Sequence, residues 1–175
     1  MRVTYCRELK MKDCLDTMKV ENFIPMHYEL VDVLNQRRLM RVPAIHNLIF
    51  IHTTQETLTD LKMTCRELEP LRYMMKPSDD GSNRREIIRV PDKQMEDFIR
   101  VSSAEDDRVM FLNYGNYLAK PGQHVKVTQG YFAGVEGVIK RIKNNRRVVV
   151  QIDGVAAVAI THVPTNHLMI INDNY

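Results

Sequence analysis

No run of roughly 18 apolar residues occurs in this 175-residue chain. The opening Met1-Arg2-Val3-Thr4-Tyr5-Cys6-Arg7-Glu8 also lacks the apolar stretch of a secretory signal. Both absences argue against membrane insertion and export, so a soluble cytoplasmic protein with no membrane partner is the expectation. Cysteine is sparse. Cys6, Cys14 and Cys65 are odd in number and have no C-x-x-C spacing, which argues against a disulfide framework or a zinc finger and fits reduced thiols at core or helix positions. His27, His46, His52, His124, His162 and His167 form neither H-E-x-x-H nor a compact Cys/His set, and the glycines of the tail lack a Gly-Lys-Ser/Thr ending. No catalytic residue, metal site or cofactor is therefore expected. Excess charge is also small: 25 Lys and Arg against 22 Asp and Glu leave +3, so the isoelectric point near 8.8 overstates the basic character. What the chain does have is 44% apolar composition, enough to fill one ordinary core or two small ones.

The charge is unevenly placed. The last 57 residues carry seven Lys or Arg and three Asp or Glu, hence +4, whereas the preceding part carries 18 and 19, hence −1. Composition shifts at the same place, from mixed helix and strand patterns to a tail rich in Gly, Val and Ile. Ser102-Ser103-Ala104-Glu105-Asp106-Asp107 and Asn113-Tyr114-Gly115-Asn116 show little periodicity and read as a linker with one short strand at 109–112. The expected division is an amino-terminal α+β domain over 1–101, a linker over 102–119 and an all-β domain over 120–175.

In the first part, Met11, Leu15 and Met18 share one face of a helix over 8–21. Residues 23–33 read as one long strand edged by Pro25, with Asn35-Gln36-Arg37-Arg38 as a polar turn before a strand at 39–42. Residues 48–51 form an apolar strand. Thr53 and Glu56 have capping-box spacing at the start of a helix carrying Leu58, Leu61 and Cys65. Strands at 71–75 and 87–90 flank an exposed loop over 76–83. Pro91 then opens a helix whose apolar face is Met95, Phe98 and Ile99.

The tail predicts strands at 122–127, 138–142, 147–152, 155–160 and 168–171, with turns at 143–146 and Asp153-Gly154. Gly130, Gly134 and Gly137 permit backbone torsions or close approaches that side chains would obstruct, and Phe132 can fill a small interior. Five strands of this kind predict a closed, SH3-like barrel.

Residues 122–150, and above all Gly130-Tyr131-Phe132-Ala133-Gly134-Val135-Glu136-Gly137, resemble the KOW motif of NusG-type transcription elongation factors. Ribosomal proteins share that module. Arg2-Val3-Thr4-Tyr5-Cys6-Arg7-Glu8, Phe23-Ile24-Pro25-Met26 and Ile45-His46-Asn47-Leu48-Ile49-Phe50-Ile51 resemble successive parts of a NusG amino-terminal domain, in which an antiparallel sheet packs with helices. With Val90-Pro91 and Phe98-Ile99-Arg100, the order is most similar to the UpxY-type antiterminators of capsular polysaccharide operons. Three departures stand out. The aromatic-rich segment that precedes Arg2 in the family is largely absent, so either the first strand is incomplete or this member completes its sheet differently. Ile45-His46-Asn47-Leu48 stands where the family often has Phe-Pro-Gly-Tyr, which bears on polymerase affinity. Cys6 stands where relatives often place glycine.

The resemblance implies a non-enzymatic regulator whose first domain docks on the clamp region of RNA polymerase and reduces pausing or termination. It nominates Ile45, Leu48 and Phe50, with Tyr5 and Tyr28, as polymerase contacts, although the apolar three equally suit a core. Arg37, Arg38 and Arg41 can meet phosphate of nascent RNA or non-template DNA, or form a solvated hairpin. Lys126, Lys140, Arg141, Lys143, Arg146 and Arg147 offer an electrostatic footprint for RNA without a regular aromatic stacking platform. The KOW domain implies recruitment of a ribosomal or termination-factor partner, with Gly130, Phe132, Gly134 and Gly137 building its turn. The rival expectation is an RNA-binding or ribosome-associated KOW protein that acts without polymerase.

Overall fold

The computed structural model describes residues 1–78, 81, 83–112 and 122–171. The chain divides into two compact units, Met1–Arg89 and Val90–Tyr175.

Unit one runs β1 (Arg2–Val3), α1 (Glu8–Thr17), β2 (Glu21–Phe23), β3 (Met26–Val33), β4 (Gln36–Pro43), β5 (Phe50–His52), α2 (Gln55–Thr64), a 3-10 turn (Arg66–Leu68), β6 (Leu71–Arg72), β7 (Met75–Pro77) and β8 (Arg85–Ile87). The expected antiparallel sheet takes the form of four antiparallel pairs, β1 with β6, β2 with β5, β3 with β4 and β7 with β8, and an isolated antiparallel bridge between Arg2 and Leu48 joins β1 to the segment before β5. Proline punctuates them. Pro25 has no amide hydrogen to give a ladder, so the long strand expected over 23–33 is two strands broken at Ile24-Pro25. Pro43 likewise ends β4, and Pro70 precedes β6.

Helix α1 buries Met11 and Leu15, four residues apart, against Val3, Ile24, Ile49, Leu68 and Leu71. It stops at Thr17 because Lys19 turns left-handed (φ 57°). The Lys19 and Val20 amides then donate back to the carbonyls of Asp16 and Leu15, at 3.0 and 2.9 Å, as a Schellman cap. Helix α2 is capped by Thr54, whose hydroxyl accepts from the Thr57 amide at 3.2 Å, one residue later than the expected Thr53 and Glu56. Both threonines offer a hydroxyl, and burial of Leu58 accompanies the later start.

Unit two runs α3 (Asp92–Ser102), β9 (Val109–Leu112), β10 (Gln123–Val127), β11 (Glu136–Ile142), β12 (Asn145–Ile152), β13 (Ala156–Ile160), a 3-10 turn (Thr165–His167) and β14 (Leu168–Ile170). The strands form one antiparallel sheet in the order β14-β10-β11-β12-β13-β9. The five tail strands were expected to close as a barrel, but no ladder joins the two outer strands among the described residues. Instead β9 pairs along β13 from Ile160↔Val109 to Ala157↔Leu112 and satisfies that edge by addition.

Pro91 sits at the N-cap position of α3 rather than within its first turn. The helix packs on β12, β13 and β9. Its buried face is Asp97, Phe98, Val101 and Ser102, rotated from the expected Met95, Phe98 and Ile99. Full burial of Phe98 and Val101 stabilises this packing by roughly 2 kcal/mol per side chain. All five residues of β13 are buried, which requires cover on both faces of the strand, and three of them are alanines. The expected linker lies partly outside the described residues, at 113–119, and its earlier portion contains the end of α3 and all of β9.

Candidate functional site

In unit one, the nominated residues separate by burial. Leu48 and Phe50 are buried, and Ile45 is half-buried. Phe50 pairs with Phe23 across β2 and β5, their rings 6.5 Å apart. Tyr5 and Tyr28 are exposed, Tyr5 with the Arg7 guanidinium 5.4 Å from its ring centre. The segment before β5 has a left-handed residue: Asn47 has φ 61°, which its short side chain tolerates. Asn47 also ties the segment to the start of α1. Its side-chain oxygen accepts from the Cys6 amide at 3.0 Å, and its own amide donates to Glu8 Oε1 at 3.2 Å. Cys6 is exposed and left-handed (φ 49°), so the backbone shape that suits glycine persists there without one.

The β3/β4 hairpin pairs eight residues on each side, from Met26↔Pro43 to Val33↔Gln36, around Leu34 and Asn35. Both turn residues have positive φ, 50° and 62°, giving the two-residue turn whose twist matches the strands. Period-two alternation puts Tyr28, Leu30, Asp32, Arg37, Leu39 and Arg41 on one face and Arg38 on the other. The three arginines therefore do not form one patch. Arg37 approaches Asp32 at 3.6 Å, and Arg38 donates to Gln36 at 3.4 Å. Leu30 and Leu39 stand opposite one another, 62% and 65% exposed. The sequence reading did not single them out, although their alternation with charged neighbours is visible in it.

In unit two, the glycine-rich segment is the turn between β10 and β11. Gly130 and Gly134 have φ of 86° and 93°, and a Cβ on Gly137 would stand 2.7 Å from the Val149 carbonyl oxygen. The Gly134 amide donates to Val127 at 2.7 Å, closing the turn. Phe132 is buried with its ring edge-on to the exposed Tyr131, 5.0 Å between centres. Helix α3 holds this turn by polar contacts. The Arg100 guanidinium donates to the carbonyls of Ala133 and Tyr131 at 2.8 and 3.0 Å. Asp97 accepts from the Glu136 amide at 3.1 Å and from Lys93 at 2.6 Å. Lys93 also reaches the Gly134 carbonyl at 3.3 Å. Lys93 and Asp97 are four apart, a visible pairing signal, but nothing local shows that the aspartate is buried.

The tail's basic residues also divide. Lys126 pairs with Glu136 at 3.1 Å. Lys140 is buried opposite Arg147, and burial holds its ammonium below the usual lysine range, partly offset by Asp153. Arg147 donates to the Met110 sulfur at 3.5 Å. Arg141 and Arg146 stand opposite one another and, with Lys143 in the turn, make an exposed basic end to the β11/β12 hairpin. Like charges placed directly across a ladder repel, so a bound anion would stabilise this arrangement.

Among the described residues, no group of three or more His, Cys, Asp or Glu is placed to hold a metal ion. No described helix is long and apolar enough to cross a membrane. No protein-family model matches the sequence. No curated protein matches it either. Among solved structures, the chain is distantly similar to one described as "Domain interaction in Thermotoga maritima NusG", with 18% identity, a TM-score of 0.39, and coverage of 98% of this chain and 94% of that one.

Proposed function

We propose that this protein is a non-enzymatic, NusG-like regulator of transcription elongation, which binds RNA polymerase at its clamp region and suppresses pausing or termination. The UpxY-like order of its motifs makes polysaccharide biosynthesis operons the favoured setting, in the cytoplasm. The observation that carries this reading is the turn at 130–137. Its glycines occupy two left-handed positions and one close approach, in an all-β tail that follows an α+β unit, as the KOW resemblance requires. Tyr5 and Tyr28 are the accessible polymerase contacts, with Ile45 at the margin, whereas Leu48 and Phe50 act by shaping the surface from within. Arg37 and Arg41 supply phosphate contacts to nascent RNA or non-template DNA from one hairpin face, and Arg38 from the other. The tail unit recruits a ribosomal or termination-factor partner through the same turn.

The basic end formed by Arg141, Lys143 and Arg146 favours a second reading, an RNA-binding or ribosome-associated protein without polymerase activity. Reconstituted elongation complexes on a polysaccharide-operon template separate the two. The first reading expects the intact protein to bind and to shorten pauses, with Tyr28→Ala weakening both effects. Failure to bind polymerase, together with strong salt-sensitive binding to free RNA, would establish the second.

A further inference from the structure

Two of the three cysteines share one carboxylate. Cys14, on α1, donates its thiol to Glu67 Oε2 at 3.7 Å, and Cys65, at the end of α2, donates to the same oxygen at 3.4 Å. The two sulfurs therefore lie no farther apart than the sum of those distances. Both side chains pack against the one core of unit one. Cys65 has left the helix and is extended (φ −111°, ψ 106°), so its side chain is not locked into a helical turn. It also lines a cleft of about 540 Å³ whose wall carries Arg7, Lys10 and Arg66 together with Glu67 and Glu69. Small oxidants thus have a route to Cys65, and three cations against two carboxylates leave a net positive wall that favours an anionic one.

We propose that Cys14 and Cys65 form a redox-responsive thiol pair, closed to an intramolecular disulfide by a small anionic disulfide that enters this cleft. Cys65 gives its proton to solvent and attacks one sulfur of the incoming disulfide, forming a mixed disulfide and releasing the first small thiolate. Cys14 then loses its proton and attacks the Cys65 sulfur, which forms the protein bond and expels the second thiolate. The two protons lost are taken up by the two released thiolates, and two electrons pass from the protein sulfurs to the small disulfide. Glu67 is the restraint on this exchange. It holds both sulfurs as hydrogen-bond donors, and with burial as the larger cause it keeps the Cys14 thiol above its usual pKa.

The test uses the intact protein carrying Cys6→Ser, which removes the exposed competing thiol, exposed to oxidised glutathione. Reaction is quenched with N-ethylmaleimide and mapped by peptide mass spectrometry under non-reducing conditions. The expected product is a Cys14–Cys65 cross-link, forming roughly threefold faster in Glu67→Gln because the gain in thiolate outweighs the loss of nucleophilicity. Recovery of both cysteines as alkylated thiols, disulfide-linked dimers alone, or a cross-link that Glu67→Gln does not accelerate would each overturn the proposal.

Discussion

A carboxylate on the buried face of a helix is costly unless donors converge on it, and Asp97 meets that condition with the Glu136 amide and the Lys93 ammonium. Replacing it with alanine leaves the Glu136 amide without its acceptor. Asp97→Ala is expected to destabilise unit two by about 2 kcal/mol, with faster hydrogen exchange at Glu136, read by urea unfolding and by NMR. Lys93 is half exposed, so little of that effect comes from the ion pair itself. This contact also shows why the face of α3 was mis-set from sequence. Apolar periodicity picks out Met95 and Ile99, but the packed face carries two polar residues: Asp97, whose Glu136 amide partner lies far along the chain, and Ser102, which donates to the Ile99 carbonyl one turn back. Asn47 was hidden for a similar reason. It stands where the resemblance would place glycine, yet the left-handed conformation depends on backbone sterics that asparagine also satisfies.

At the scale of elements, the strands of the tail were closely legible because alternation and turn residues agree there. β10 to β14 fall within a few residues of their expected ranges. Turns were placed less well. The sequence assigned polar runs, 35–38 and 143–146, as turns, whereas the chain reverses over only two residues in each case, Leu34-Asn35 and Lys143-Asn144, all four left-handed. Neither pair contains glycine, the usual mark of such a turn. Leu34 pays for this with an unfavourable backbone, and its side chain is 94% exposed, so it gains little in return. Leu34→Asn is expected to stabilise the β3/β4 hairpin by about 1 kcal/mol, seen as slower exchange of the β4 amides that precede Pro43. Were Leu34 required for binding a partner, the same variant would gain stability and lose function, which separates the two roles.

For the whole molecule, the sequence foresaw an α+β part followed by an all-β part, but the edge between them depends on where α3 packs. The sequence division begins the second domain at 120, whereas the compact unit begins at Val90 and includes α3 and β9. Two fragments distinguish these divisions. Residues 90–175 are expected to melt cooperatively with dispersed amide resonances. Residues 120–175, which lack Phe98, Val101 and the strand paired to β13, are expected to bind a hydrophobic dye and to aggregate. Equal behaviour of the two would favour the shorter domain. A closed barrel was the natural extrapolation from five alternating strands, and the strand that replaces closure comes from before the tail, where local pattern gives no pairing partner.

The burial of every residue in β13 carries a consequence for evolution as well as for folding. A strand with no free face has no position at which a new side chain can be tried without disturbing its neighbours. Change in this half of the protein is therefore channelled to the perimeter: the glycine turn, the basic hairpin end and the outermost strands. Sequences that diverge to meet new partners should vary along that rim while the small and branched residues at the centre stay fixed in volume.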